Sequence, residues 1–361
     1  DGMNPHVVVA DELHAWQEHH RPFYDTMVTG SGARSQPLFL VITTAGDDTS
    51  HLWLENYQYA CNVVKGVFRD DSLFAFIAEL DEKDDPGDES LWIKSNPNLG
   101  VSVSLDYLKQ RWNEDKATPI GQNRFTRYHG NRLVTSTAKA FDLGEWDACA
   151  GEFSDWSAAD AICAGIDLGS RDDFAAYALC ARFLVSDTDV PVYRYEIDTK
   201  CYIAADSKRD LTKMPFAEWV HNGNLRRCQY PIAELKEDLL NDCKQHVILT
   251  IGFDPYNGQQ IGEELGKENL IAASVAQNHR NFNEPIREFL KCIQDRRFLH
   301  NGNPLLKWCA GNAVVASDVR DHIMFDKRTS TEKIDPIVAA VMAFRLASLA
   351  PTRASGSLFI S

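Results

Sequence analysis

Residues 161–168 read Ala161-Ile162-Cys163-Ala164-Gly165-Ile166-Asp167-Leu168, an apolar run with one carboxylate near its far end. A run with no polar alternation predicts a strand buried on both faces over 161–167, terminated by Asp167. Working outward, 174–185 reads as its hairpin partner and 192–197 as a third strand. Helices are predicted over 216–222 and 232–245, and 247–253 is another apolar strand, ending in Asp254-Pro255. Beyond it, 258–267 reads as a helix with its glycines at the C-terminal cap, 270–276 as a short strand and 285–297 as an amphipathic helix. An apolar helix over 336–349 has Pro336 in its first turn and Asp335 just before it.

Asp167 and Asp254 thus each end an apolar strand, and Asp335 stands where an apolar helix begins. In an open α/β sheet such positions can converge at one edge, although the three are far apart in sequence. Three carboxylates in one place repel unless cations neutralise them, and hard oxygen ligands without histidine or thiolate favour Mg2+ or Mn2+. The chemistry that commonly uses two such ions is in-line displacement at a phosphodiester. Taken singly, a strand-end aspartate is as readily a turn former, and Asp335 a helix N-terminal residue. Taken together, the order of hairpin, Asp-ended strand and Asp-bearing helix is that of an RNase H-like nuclease, a mixed sheet flanked by helices. Lys327, Arg328 and Lys333 flank Asp335 as candidate DNA contacts, and residues 271–345 hold 11 Lys/Arg against 8 Asp/Glu. Asp172 and Asp173 fit a turn better than a second metal, and His300 and His322 fit surface loops better than proton transfer.

The front of the chain has its own signal. Val7-Val8-Val9-Ala10 reads as a buried parallel strand ending in Asp11-Glu12, a Walker B-like pattern. After a polar, helical stretch (16–28), Pro37-Leu38-Phe39-Leu40-Val41-Ile42 reads as a second buried strand ending in Thr43-Thr44-Ala45-Gly46. Helices follow over 53–64 and from the Ser104 cap to about residue 116, and Arg124, Arg127 and Arg132 form a basic stretch. No phosphate-cradling Walker A loop is present. The nearest match, Gly262-Glu263-Glu264-Leu265-Gly266-Lys267-Glu268, has the wrong glycine spacing and lacks the Ser or Thr.

Of the 361 residues, 44% are hydrophobic, and the formal charge of -15 excludes a protein that coats nucleic acid by bulk positive charge. No apolar run approaches the roughly 20 residues of a membrane span. The nine cysteines form no C-x-x-C pair and read as reduced, buried thiols of a cytosolic protein. No basic stretch and apolar core of a signal peptide opens the chain, which starts just before a strand, as if in mid-domain.

Several stretches taken in order resemble the ATPase half of the large terminase subunits of tailed bacteriophages: Val7 to Ala15 (VVVADELHA), Gln36-Pro37-Leu38, Ile42-Thr43-Thr44-Ala45-Gly46 and Asn96-Pro97-Asn98-Leu99-Gly100. Gly165-Ile166-Asp167-Leu168-Gly169-Ser170, Phe253-Asp254-Pro255-Tyr256-Asn257, His300-Asn301-Gly302-Asn303-Pro304 and Lys333-Ile334-Asp335-Pro336 are similar to the nuclease half. The resemblance implies a DNA-packaging motor of the bacterial host cytoplasm, acting on double-stranded DNA with a portal protein and a small terminase subunit, as a ring. It implies Asp11 as the Mg2+-linked acid, Glu12 as the catalytic glutamate and Thr43 and Thr44 as the coupling motif. Asp167, Asp254 and Asp335 become the nuclease metal ligands. Walker A lies upstream of Walker B in the family, so the reading expects the C-terminal part of an ATPase domain over 1–140, a linker over 141–160, a nuclease domain over 161–350 and a tail over 351–361. It also expects ATP to be used only with the missing region, and a monomer in its absence. A proline after Asp335 departs from the family, where a small residue is expected. Two other readings are a resolvase or transposase of RNase H-like fold, which leaves 1–140 unexplained, and a catalytically silent assembly module.

Overall fold

The computed structural model describes residues 4–67, 69–116, 118–169, 172–186, 191–209, 211, 215–318, 320–327, 329–330 and 332–351. They fall into two compact units, Asp1–Ala138 and Lys139–Ser361.

In the first unit, β1 (Val7–Asp11), α1 (Arg21–Thr29), β2 (Leu38–Ile42) and α2 (His51–Val64) precede three helices, α3 (Trp92–Ser95), α4 (Leu105–Asp115) and α5 (Pro119–Tyr128). β1 and β2 pair in parallel, Val7 opposite Leu38 through Asp11 opposite Ile42. The expectation that both strands are buried on two faces does not hold: Val7, Val9, Leu38, Leu40 and Ile42 keep 41 to 55% of their surface exposed. Only the other face is covered, where Val41 packs on Leu13, Ala45, Leu52 and Trp53 and Phe39 meets the Tyr24 ring. Two strands alone cannot cover both faces of themselves. Ser104 caps α4 as its sequence predicts, accepting the Tyr107 N–H at 3.2 Å. The basic stretch turns inward: Arg124 pairs with Asp115, Arg127 is buried against Asp47 at 3.0 Å, and Arg132 donates to the carbonyls of Asp81 and Asp84.

β3 (Thr137–Lys139) straddles the boundary, and the second unit continues with α6 (Leu143–Asp147), β4 (Ala161–Leu168), β5 (Ala175–Ser186), β6 (Val192–Ala204), α7 (Phe216–His221), β7 (Arg226–Cys228) and α8 (Pro231–Gln245). Next come β8 (Ile248–Phe253), α9 (Pro255–Lys267), β9 (Ala272–Ser274), α10 (His279–Gln294), β10 (Phe298–His300), α11 (Pro304–Asn312), β11 (Val314–Ser317), β12 (Ile323–Phe325) and α12 (Asp335–Leu349). Residues 141–160, read as a linker, hold α6 and the buried Trp146 and Trp156. The mixed sheet runs β10-β6-β5-β4-β8-β9, with β7 also on β6. β4, β5 and β6 are antiparallel neighbours, while β8 and β9 continue from β4 in parallel. That arrangement, with helices on both faces, is the RNase H-like architecture.

The period of two along β4 decides what each face carries. Ile162, Ala164, Ile166 and Leu168 join Leu235 and Leu239 of α8 and Ile261 and Leu265 of α9 in one core. The intervening residues face α12: a Cβ added to Gly165 would meet the Ala339 carbonyl oxygen and lie 2.6 Å from the Ala343 nitrogen. α12 is buried along 337–344 because it lies on the sheet and packs against α10 and α11. Its far end is held by Arg182 of β5, which donates to the carbonyls of Ala347 and Ala350 at 2.8 Å each.

Several boundaries differ from expectation. α10 begins at His279, capped by Asn278, so Pro285 lies inside the helix rather than at its start. β6 runs to Ala204, well past residue 197. Gly262 and Gly266 lie within α9 instead of capping it. At Gly262 an added Cβ would collide with the Phe253 ring, so this glycine serves close helix–strand packing. All nine cysteines are unpaired thiols, seven of them buried, and all seven belong to the second unit.

Candidate active site

The register that pairs Gly165 with Gly252 and Ile166 with Phe253 sets Asp167 and Asp254 side by side at the carboxyl ends of adjacent parallel strands. Alternation puts Asp167 on the Gly165 face, under α12, whose first residue is Asp335. All three aspartates therefore reach one end of the sheet. Asp167 and Asp335 are buried, at 2% and 4% exposure. Among the described residues, however, no three His, Cys, Asp or Glu side chains stand close enough to hold a metal ion as they are.

Lys327 lies between two of the acids. Its Nζ is 2.8 Å from Asp167 Oδ2 and 3.5 Å from Asp335 Oδ1. Burial opposes its charge, yet the facing carboxylates outweigh burial and raise its pKa. Burial, then the neighbouring Asp167, pushes the Asp335 carboxyl up to about 7, although Lys327 pulls the other way. Burial also raises Asp254, which accepts the Tyr256 N–H at the start of α9. Asp335 Oδ2 is buried with no hydrogen-bond partner, a costly state for an oxygen that a cation could relieve.

Sequence reasoning missed two clamps. Gln277 donates its side-chain amide to Asp167 Oδ1 at 2.7 Å. Asn257, quoted only as part of a motif, holds the Leu168 carbonyl at 2.9 Å and ties α9 to the end of β4. Gln277 stands in a loop three residues past β9, with no pattern to mark it. Its one signal is position, just beyond the third parallel strand of the same sheet edge.

Lys333 pairs with Asp173 at 2.5 Å, and Asp172 accepts the Lys208 N–H at 2.8 Å. Arg328 lies outside the described residues. His300 is no surface residue. It is buried in β10, with Nε2 against the Trp146 carbonyl at 2.9 Å and Nδ1 accepting the Gly302 N–H at 3.1 Å. His322 is half-exposed beside Asp318, 3.2 Å away. A groove of about 1190 Å³ opens beside the end of β4, lined by Gly169, Asp173, Asp206, Tyr230 and Gln260. Among its described lining residues the one lysine, Lys236, is paired with Glu264 at 2.6 Å.

In the first unit, Asp11 ends β1 beside Ile42, and Glu12 takes a left-handed backbone (φ 52°) with its N–H on the Ile42 carbonyl. His14 knots the cluster together. Its Nδ1 lies 3.0 Å from Glu12 Oε2, 3.3 Å from Thr43 Oγ1 and 3.2 Å from Thr44 Oγ1, and its backbone N–H donates to Thr43 Oγ1 at 3.1 Å. The acidic pair and both threonines are thus neighbours, joined by a histidine given no role in the sequence reading.

Comparison with known proteins places the chain among relatives. The family described as terminase large subunit, endonuclease domain, matches residues 67–350, and terminase large subunit, ATPase domain, matches residues 1–62. The chain is 29% identical over 365 residues to Protein YmfN of Escherichia coli (strain K12), covering 97% of this chain and 79% of that protein. It is 23% identical over 372 residues to the terminase large subunit of Enterobacteria phage HK97, covering 98% and 69%. The crystal structure of the HK97 large terminase shares the fold, with a TM-score of 0.51 at 20% identity over 96% of this chain and 71% of that one. With the endonuclease family spanning most of its length and the ATPase family its front, this chain belongs to the terminase large subunits.

Proposed function

We propose that the chain cuts double-stranded DNA by divalent-cation-assisted phosphodiester hydrolysis, as the cutting step of viral DNA packaging, with Asp167, Asp254 and Asp335 as the cation-binding carboxylates. One observation carries the reading: at the end of the sheet two buried carboxylates share an ammonium, and one of their oxygens, Asp335 Oδ2, has no partner. The donor set is all oxygen, which fits Mg2+ or Mn2+. A bound cation would supply Lewis acidity at the phosphodiester and offset charge as it develops. The chain's own residues orient the carboxylates. Gln277 fixes the rotamer of Asp167 and Asn257 fixes the strand end. Lys333 and Arg328 remain the proposed contacts to the DNA backbone.

The decisive assay incubates the chain with supercoiled plasmid and Mg2+ or Mn2+, beside Asp167→Ala and Asp254→Ala. Wild type is expected to nick and linearise, with each variant at least about a hundredfold slower. Equal cutting by wild type and variants, or no cutting with either metal, removes the nuclease assignment and leaves the silent assembly module. Family membership across both parts of the chain already speaks against a resolvase or transposase.

The same reading makes the first unit ATPase-derived, with Asp11 linked to Mg2+, Glu12 orienting the attacking water, and Thr43 and Thr44 passing the state of the site onward through His14. ATP, a portal protein, a small terminase subunit and a ring of subunits belong to this proposal, as does the host cytoplasm. Among the described residues no helix is long and apolar enough to cross a membrane. In terminase that hydrolyses ATP, Glu12→Gln is expected to slow turnover about a hundredfold or more. Unchanged turnover would remove the role of Glu12.

A further inference from the structure

Lys327 contacts two buried carboxylates at once, and both contacts involve oxygens that a cation would need. Its ammonium takes Asp167 Oδ2 at 2.8 Å and Asp335 Oδ1 at 3.5 Å, while Gln277 occupies Asp167 Oδ1 at 2.7 Å. The lysine lies two residues beyond β12 and eight before Asp335, on the loop joining that strand to α12. The loop's root is held: the Asp326 N–H donates to the Val314 carbonyl at 2.9 Å, and the Ser330 N–H to the Asp326 carbonyl at 3.0 Å. Beyond that root the side chain is a flexible four-carbon stem, and 40% of its surface is exposed. An ammonium and a divalent cation cannot both lie between the same two carboxylates, so one must leave when the other arrives.

We propose that Lys327 is a built-in counter-ion, which keeps Asp167 and Asp335 together without metal and is displaced from them when a divalent cation binds. This rests on the metal-nuclease reading above and adds a competition to it. The tethered charge spares the metal-free fold two adjacent unpaired acids, and it weakens cation binding by the free energy of the ion pairs it must give up. The released ammonium remains on its loop beside the site, where an anionic substrate backbone is its natural next partner. Substrate and cation would then each favour the other's binding by drawing on the same lysine.

The test measures cation binding directly, without DNA and without turnover. Mn2+ binding to the full chain is followed by electron paramagnetic resonance, and Ca2+ binding by calorimetry, for wild type, Lys327→Gln and Lys327→Met. The variants are expected to bind about tenfold more tightly, which corresponds to about 1.4 kcal/mol of competing interaction removed. Equal or weaker binding by both variants overturns the proposal while leaving the metal site intact. Binding by neither wild type nor variants sinks the metal-nuclease reading as well. A second measurement needs no substitution: after reductive 13C-methylation of the lysines, the Lys327 resonance of wild type is expected to move on adding Ca2+. A resonance that stays in place while calorimetry shows Ca2+ bound would also overturn the proposal.

Discussion

His300 shows how far one residue can depart from the reading of its neighbours in sequence. His300-Asn301-Gly302-Asn303-Pro304 has the composition of a surface loop, yet the imidazole is buried with Nε2 donating to Trp146 and Nδ1 accepting from Gly302. Both contacts suit the neutral ring alone, and burial lowers the His300 pKa from its ordinary value. The folded value lies below the unfolded one, so this group's contribution to stability is present above about pH 6.5 and is lost as the pH falls through the lower, folded value. Thermal melts between pH 7.5 and 5 should therefore fall more steeply for wild type than for His300→Gln; parallel slopes would show that the ring does not titrate against the fold. At Gln277, a residue with no sequence signature, loss of the amide in Gln277→Ala should slow plasmid cutting about 10- to 100-fold with the fold unchanged. A cutting rate within twofold of wild type would show that Asp167 needs no clamp. The aspartates themselves were legible because an ionisable residue closing an apolar strand is conspicuous. Their clamps were not, because an amide in a loop looks like any other polar residue.

At the scale of elements, periodicity located the long strands and most helices of the second unit but missed α6, β7, β10, α11, β11 and β12. Pro285 opens the helix predicted over 285–297, yet α10 absorbs it after Asn278 has already capped the helix. Val7, Val9, Leu38, Leu40 and Ile42 read as doubly buried because a continuous apolar run looks the same whether one face or two are covered. Gly165 illustrates the reverse, a residue whose meaning comes wholly from the element above it. Gly165→Ala should destabilise by about 1–3 kcal/mol, because the methyl meets the α12 backbone and not the tip of a flexible side chain. Urea denaturation followed by circular dichroism would measure it, and a change below about 0.5 kcal/mol would mean that α12 yields without cost. Arg127, part of the apparent basic stretch, is instead the buried partner of Asp47. Arg127→Met should cost the first unit about 3–5 kcal/mol by leaving that carboxylate unpaired, which differential scanning calorimetry would detect as an earlier transition.

Across the whole molecule, charge and function pull in opposite directions. A chain of formal charge -15 has little attraction for a polyanion. If the proposed site recruits divalent cations, affinity for a short DNA duplex should rise at least about tenfold when Ca2+ replaces EDTA at fixed ionic strength. Equal affinity in the two buffers would mean that basic side chains suffice. The fold class could be read from the order of strands and helices, because topology leaves its trace in the sequence of apolar runs. Residues 141–160 read as a linker from their small and acidic residues, and they hold α6 and the buried Trp146 and Trp156 within the second unit.

The distribution of thiols has a practical consequence. All seven buried cysteines, Cys149, Cys163, Cys180, Cys201, Cys228, Cys292 and Cys309, belong to the unit that carries the acidic site, whereas the first unit has only the half-buried Cys61. An alkylating reagent added during a slow temperature ramp would therefore mark the two units differently, and counting adducts by mass would time the opening of the nuclease unit with no engineered probe.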